Sequence, residues 1–370
     1  MKKLEIEKEK KSKKTFSSRT INPNVIWKNI GPATYLGNQA GLGRTSAVAF
    51  HPTQENTFYV GAGVGGVWKT TDGGASYTVI GDLLPTLAVS KIVVNQSSPN
   101  TLYVATGGRR NSRSFGVFKT SDNGATWQNT FLNYSVDQNK QIYEMIADPT
   151  NSNKMFIAVL SDGLYRTLDG MQTGTKVLNG NVRDVILKPG DPNIVYALVH
   201  NSPTTGNGQL FKSTDGGTTF TAIVNFTNSG GDMLLTVSAA DAEKVYFSHN
   251  DIIEKYTMSG SQFIGTVNLA AANTIDGVQD IDTGSLFLSQ NNASRIYAGF
   301  QSHNRSDSDG ASFEIQLNKF LGTVNPDVHV DFMEAYTNPL KPNVIYFVMM
   351  VVYMNTMNLI MLLLTEIMAY

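Results

Sequence analysis

The strongest constraint in this sequence is a unit that returns seven times. Each copy runs from an apolar residue through a polar turn rich in Pro and Asn into a β-branched or apolar stretch that ends on an aromatic. It appears as Phe50-His51-Pro52 leading to Phe58-Tyr59-Val60, and again as Ser98-Pro99-Asn100 leading to Tyr103. Asp148-Pro149 leads to Phe156, Asp191-Pro192-Asn193 to Tyr196, and Lys341-Pro342-Asn343 to Tyr346. Tyr246 and Tyr297 close two further copies in which the Pro is missing. The seven anchors are spaced 44, 53, 40, 50, 51 and 49 residues apart. Helical solenoids share such periods, but Gly/Pro/Asn punctuation and short β-rich runs point to strands. About four strand-length segments fit in each unit, which is the content of a propeller blade. The expected fold is all-β: a β-propeller of about six to seven four-stranded blades, the set left incomplete.

A second motif lies within the repeat. Thr70 to Tyr77, Thr120 to Trp127 and Ser213 to Phe220 all read Ser/Thr-x-Asp-x-Gly-x-x-aromatic. A short Asp carboxylate can accept the N–H groups of its own turn, and Gly supplies positive φ where a hairpin reverses. Asp72, Gly74 and Tyr77, Asp122, Gly124 and Trp127, and Asp215, Gly217 and Phe220 are therefore expected to be structural. Thr167-Leu168-Asp169-Gly170 is a degenerate copy, and Ser306 to Phe313 another whose Asp is out of register. These residues resemble Asp-box repeats of the bacterial neuraminidase type. The resemblance implies that the boxes sit between the outer strands of each blade, away from an axial ligand site.

The first unit carries a narrower likeness. Trp27 to Pro32, Gly43-Arg44 and Tyr59 to Thr70, with its Gly61-Ala62-Gly63-Val64-Gly65-Gly66 step, resemble sortilin-like propellers of secreted bacterial proteins. The stretch is also similar to two-propeller glycoside hydrolases that cleave xyloglucan-type β-glucans. That likeness implies a catalytic Asp just before the Gly-Gly step, where this chain has no carboxylate, and a second carboxylate from another propeller. Glycoside hydrolysis ordinarily needs both. Sialidases add an Arg-Ile-Pro motif, which does not occur here. The resulting expectation is a non-catalytic binding or scaffold module for a glycan or peptide at the propeller axis, placed outside the cell or on its surface. A xyloglucanase-like or sialidase-like glycoside hydrolase is the alternative.

Candidate binding residues are few. Asp327, His329 and Asp331 alternate at strand period and so face one way, as a polar strand face or as a metal or acid/base site. Arg44, before the first inner strand, is expected to line the channel or to pair in the core. Arg109, Arg110 and Arg113 lie in a Gly/Ser loop, read as solvated. No phosphate-cradling loop, dinucleotide fingerprint or zinc helix motif occurs, and no cofactor is expected.

Charge excludes some partners. With a net charge of -1 and 16% charged residues, no global field favours nucleic acid or an anionic membrane. Cys is absent, so disulfides and thiol chemistry are excluded. Residues 1–24 read as a charged tail, with seven Lys and three Glu in the first fourteen and no signal-peptide pattern. The repeats occupy 25–347.

Residues 348–370 differ in kind, holding six of the 13 Met and no Gly. The apolar run 344–364 is long enough to span a bilayer, but Asn355, Thr356 and Asn358 interrupt it and no membrane association is expected. Codon arithmetic suggests a frameshift. Restoring one G after the Phe347 codon turns Val-Met-Met-Val-Val-Tyr-Met into a stretch that can read Gly-Asn-Asp-Gly-Gly-Val-Tyr-Glu. That is the glycine-rich step seen after the first anchor, so the seventh blade is expected to be started but not closed.

Overall fold

The computed structural model describes residues 25–29, 45–108, 113–200, 207–227, 233–249, 252–259, 262–268, 284–299, 302–318, 328–353, 357–358 and 361–366. Apart from one 3-10 turn at Val136–Gln138, these residues are antiparallel strands and their connections.

Seven sheets follow the chain. Blade 1 contains Thr45–Phe50, Phe58–Ala62, Gly66–Thr70 and Thr78–Val79; blade 2 contains Val89–Val94, Leu102–Thr106, Gly116–Thr120 and Gln128–Asn133. Blade 3 is built from Gln141–Asp148, Asn151–Leu160 and Asp162–Thr167. Its fourth strand is the first part of Thr175–Lys188, whose second part becomes the first strand of blade 4 without a break. Blade 4 continues through Asp191–His200, Gly208–Ser213 and Thr221–Phe226. Blade 5 holds Leu235–Ser238, Asp241–His249, Ile252–Ser259 and Gln262–Asn268, and blade 6 holds Ser285–Leu288, Ile296–Gly299, Ser302–Ser306 and Glu314–Asn318. Blade 7 pairs Val328–Asn338 with Lys341–Tyr353, then Met361–Glu366, then Val25–Asn29 from the other end of the chain. The first strands of successive blades are neighbours, and that of blade 7 returns to blade 1, so the ring is closed.

This closure corrects the expectation of an open seventh blade. The second strand of blade 7 and the Val25–Asn29 strand present two unpaired edges, and an apolar run without Gly or Pro fills the slot between them. The frameshift origin of that run is a separate proposal about the gene.

The core lies between blades. All seven aromatic anchors sit on second strands and none exceeds 4% exposure. Tyr59 packs with Val89, Ile92 and Val104 of the next blade, Tyr103 with Ile142 and Ile157, and Tyr196 with Val237 and Phe247. Across the seam, Phe58 and Val60 of blade 1 meet Tyr346 and Val348 of blade 7. Burying each such side chain contributes about 1.5–3 kcal/mol, so the anchor period sets the spacing of the blades.

The Asp turns connect third and fourth strands and repeat one hydrogen-bond pattern. In blade 2 the Thr120 hydroxyl donates to Asp122 Oδ1 (2.7 Å) and accepts the Gly124 N–H (2.9 Å), while Thr126 gives its N–H to Oδ1 (2.8 Å) and its hydroxyl to Oδ2 (2.6 Å). Asp72, Asp169 and Asp215 repeat it with Ser76, Thr173 and Thr219. Asp169 thus holds the full geometry although its turn lacks the motif's Gly at the next position but one, where Met171 sits at φ 69°. In blade 6 Ser308 stands in the Asp position, its hydroxyl accepting the Ser312 N–H (3.0 Å). Asp309, the carboxylate that appeared out of register, reaches across the blade boundary to the Tyr246 hydroxyl and Lys255. The residue after each Asp donates its N–H to the Pro/Asn turn of the same blade, as Asn123 does to Asn100 (2.9 Å) and Gly216 to Asn193 (2.9 Å), so the two sequence motifs meet. Trp127, half-buried, donates from Nε1 to the Ile80 carbonyl at 3.1 Å and packs toward blade 1.

Hydroxyl and amide donors from Ser76, Thr126 and Thr173 hold Asp72, Asp122 and Asp169 down to about 2, and Thr219 depresses Asp215 further. A depressed carboxylate contributes stability above its unfolded pKa near 3.9 and loses it as pH falls through the folded value. The turns are exposed, so each contribution is small. Thermal melts should therefore show a midpoint falling between pH 4 and pH 2, and a fourfold Asp→Asn variant at 72, 122, 169 and 215 should flatten that fall while melting lower at pH 7. An unchanged acid slope in the variant would remove the turns from the explanation.

Candidate binding site at the propeller axis

The first strands of blades 1, 2, 3, 4 and 7 each carry a β-bulge, at Ser46, Ser90, Tyr143, Arg183 and Met333. A bulge leaves ladder groups unpaired and turns the next side chain. The residues that follow are Ala47, Lys91, Glu144, Asp184 and Glu334, and the last four line an axial cavity of about 260 Å³. Lys91, Glu144 and Asp184 are buried, and Glu334 is partly buried.

Their partners cross blades. Lys91 Nζ lies 2.7 Å from Glu144 Oε2 and also pairs with Glu334 Oε1, joining blade 2 to blades 3 and 7. Glu144 Oε1 accepts the N–H of Met145 at 2.9 Å. Asp184 accepts the N–H of Val185 and, across the blade boundary, that of Leu235, both at 2.7 Å. The carboxylates thus satisfy amides next to the bulges and bind the first strands to one another. Buried charge of this kind persists where it is paired and hydrogen-bonded.

None of the sequence-predicted candidates is among these four residues. Arg44 and Asp327 lie outside the described residues, as do Arg109 and Arg110. The backbones of His329 and Asp331 are in the first strand of blade 7, opposite Val352 and Met350. Arg113 is exposed and reaches the Val136 carbonyl at 3.4 Å. The Gly61 to Gly66 step crosses from the second to the third strand of blade 1. Among the described residues no three His, Asp or Glu side chains form a metal-holding group, and no helix is long and apolar enough to cross a membrane.

Sequence reasoning missed Lys91, Glu144, Asp184 and Glu334, although a signal existed. Each lies twelve residues before its blade's aromatic anchor, as do Ala47, Leu234 and Ser285 in the other blades. The anchor pairs with the residue ten before it in every blade, so the position two residues earlier on that strand recurs around the ring.

No family model matches the chain. Similar curated proteins are xyloglucanases. One from Paenibacillus sp is 23% identical over 242 residues, covering 56% of this chain and 23% of that protein. Another, from Hypocrea jecorina, is 28% identical over 165 residues, covering 41% and 19%. The chain therefore spans about a quarter or less of the curated relatives it matches. Among solved structures, a GH74 enzyme from Niastella koreensis has a TM-score of 0.62 at 16% identity, over 90% of this chain and 55% of that one. YCF48 from Cyanidioschyzon merolae has a TM-score of 0.59 at 12% identity, over 92% and 98%. The fold is a β-propeller. At these identities the structural likeness concerns the propeller alone, and in YCF48 it extends over nearly the whole of the compared chain.

Proposed function

We propose that this propeller is a non-catalytic binding module of the Asp-box kind, acting outside the cell, with a glycan as its ligand on the axial face. The observation that carries this reading is that the described axial carboxylates are already committed. Hydrolysis of a glycosidic bond needs two carboxyl groups about 5–9.5 Å apart with the bond between them. Glu144 and Glu334 instead hold one ammonium between them, where a sugar ring would have to sit. Asp184 is occupied by two backbone amides. The glycan class is supported by the xyloglucanases to which the sequence is similar.

A second reading, a xyloglucan-type glycoside hydrolase, is favoured by those same relatives. A peptide is the other ligand class, in view of the solved complex titled YCF48 bound to D1 peptide, whose fold this chain resembles at a TM-score of 0.60. Purified full-length chain on a glycan array, followed by a reducing-end assay on every glycan retained, separates the readings. Binding without release of reducing ends is the expected result. Release that disappears in Glu144→Gln, Asp327→Ala or Asp331→Ala would establish the hydrolase instead, and an array with no bound glycan would remove the glycan reading.

A further inference from the structure

Two residues beyond the charged positions, the first strands carry the residues that pair with the aromatic anchors. In blades 3 to 7 these are Ile146, Ile186, Thr236, Phe287 and Tyr336. Side chains two apart on a strand share a face, so they turn to the axis as Glu144, Asp184 and Glu334 do, one tier away. All five line the same cavity as the charged residues.

This second tier is an apolar belt. Its one aliphatic hydroxyl, that of Thr236, is engaged by the Leu288 N–H of blade 6 at 3.2 Å. The Phe287 ring leans on the anchor Tyr297, with centroids 6.3 Å apart. The two tiers meet at Tyr336, whose ring centroid lies 5.8 Å from Lys91 Nζ.

The belt is within reach of a ligand. The cavity of about 260 Å³ is open to solvent. Ile146, Ile186, Phe287 and Tyr336 are partly exposed there, whereas the preceding residues Met145, Val185 and Leu286 are buried. A concave site lined by apolar and aromatic side chains with a few convergent polar groups has the usual form of a small-ligand pocket. Its two tiers ask different things of one occupant. Carboxylates accept hydrogen bonds, so the charged tier suits a head rich in hydroxyl donors. The belt suits a flat apolar group of ring size, which gains by leaving water. A plain sugar supplies the first and not the second.

We propose that the axial cavity takes an aryl-substituted sugar, with the sugar hydroxyls at the charged tier and the aromatic substituent in the belt of Ile146, Ile186, Phe287 and Tyr336. The assignment rests on the glycan reading above and adds the substituent.

The test is titration of the full chain with phenyl β-D-glucopyranoside, with methyl β-D-glucopyranoside lacking the ring and phenol lacking the sugar. The phenyl glucoside is expected to bind about tenfold or more tightly than either. Ile186→Phe fills the belt, and it should weaken phenyl glucoside binding about tenfold while leaving the methyl glucoside unchanged. In the wild type, intermolecular nuclear Overhauser effects should link the phenyl protons to the Ile146 and Ile186 methyl groups, a readout that does not depend on a variant folding.

Equal affinity for the two glucosides, absence of those Overhauser effects, or a folded Ile186→Phe variant that binds the phenyl glucoside normally overturns the proposal. Each leaves the glycan reading in place wherever the array retains a glycan. Phenol binding as tightly as the phenyl glucoside, with no glycan retained on the array, overturns the assignment and the glycan reading together.

Discussion

Replacing Lys91 with Met is expected to destabilise the protein by about 3–5 kcal/mol at pH 7, because it leaves buried carboxylates without their counter-charge. The Lys91 side chain is 5% exposed, and Glu144 and Glu334, at 10% and 22%, meet it from two other blades. Without the ammonium, the two acids must stay charged and unpaired or take up protons. The loss measured by urea unfolding should therefore be larger at pH 8 than at pH 5, since protonation relieves the repulsion. A triple variant, Lys91→Met with Glu144→Gln and Glu334→Gln, removes the stranded charges and should recover most of the stability. Were the single variant as stable as the wild type at pH 8, the triad would not be what joins blades 2, 3 and 7.

The second large effect concerns a turn. Gly217→Ala is expected to cost about 2–5 kcal/mol, combining left-handed backbone strain with overpacking. Gly217 has φ 79°, and a Cβ placed there would lie 2.2 Å from Cε1 of Phe156, the anchor of the preceding blade. Gly216, one residue earlier, has φ 71° and its nearest neighbour, Lys154 Nζ, would be 3.4 Å from a Cβ. Gly216→Ala should therefore show the strain alone, about 1–2 kcal/mol. Phe156→Leu in the Gly217→Ala background should couple favourably, because it withdraws the ring that the new methyl meets. Met171 occupies the matching position in blade 3 at φ 69°, which shows that this turn accepts a side chain in the left-handed backbone conformation. Equal costs for Gly216→Ala and Gly217→Ala would rule out the ring contact as the cause.

The amino-acid order by itself determined the strand class, the number of anchors and the turns that carry Asp. These are short-range patterns: an aromatic closing a β-rich run must be buried, and Thr120, Asp122 and Thr126 are close enough in sequence to bond each other before any blade meets another. The same locality explains the degenerate copies. Asp169 kept its hydrogen bonds without the full motif, and in blade 6 the chain used Ser308, leaving Asp309 free to reach Tyr246. Tertiary structure alone decided the axis. Lys91 meets Glu144 and Glu334 because bulges and ring closure bring the first strands of blades 2, 3 and 7 together, and neither event has a local signature. Alternating charges at Asp327, His329 and Asp331 stood out as a local pattern, whereas four charged residues one to a blade did not, since each looks like a single polar interruption of an apolar run. Closure of the ring was decided in the same way. The Val25–Asn29 strand and the second strand of blade 7 became partners of Met361–Glu366 only when the circle of blades brought two open edges face to face, and an unpaired edge accepts any extended apolar strand that can complete its hydrogen bonds.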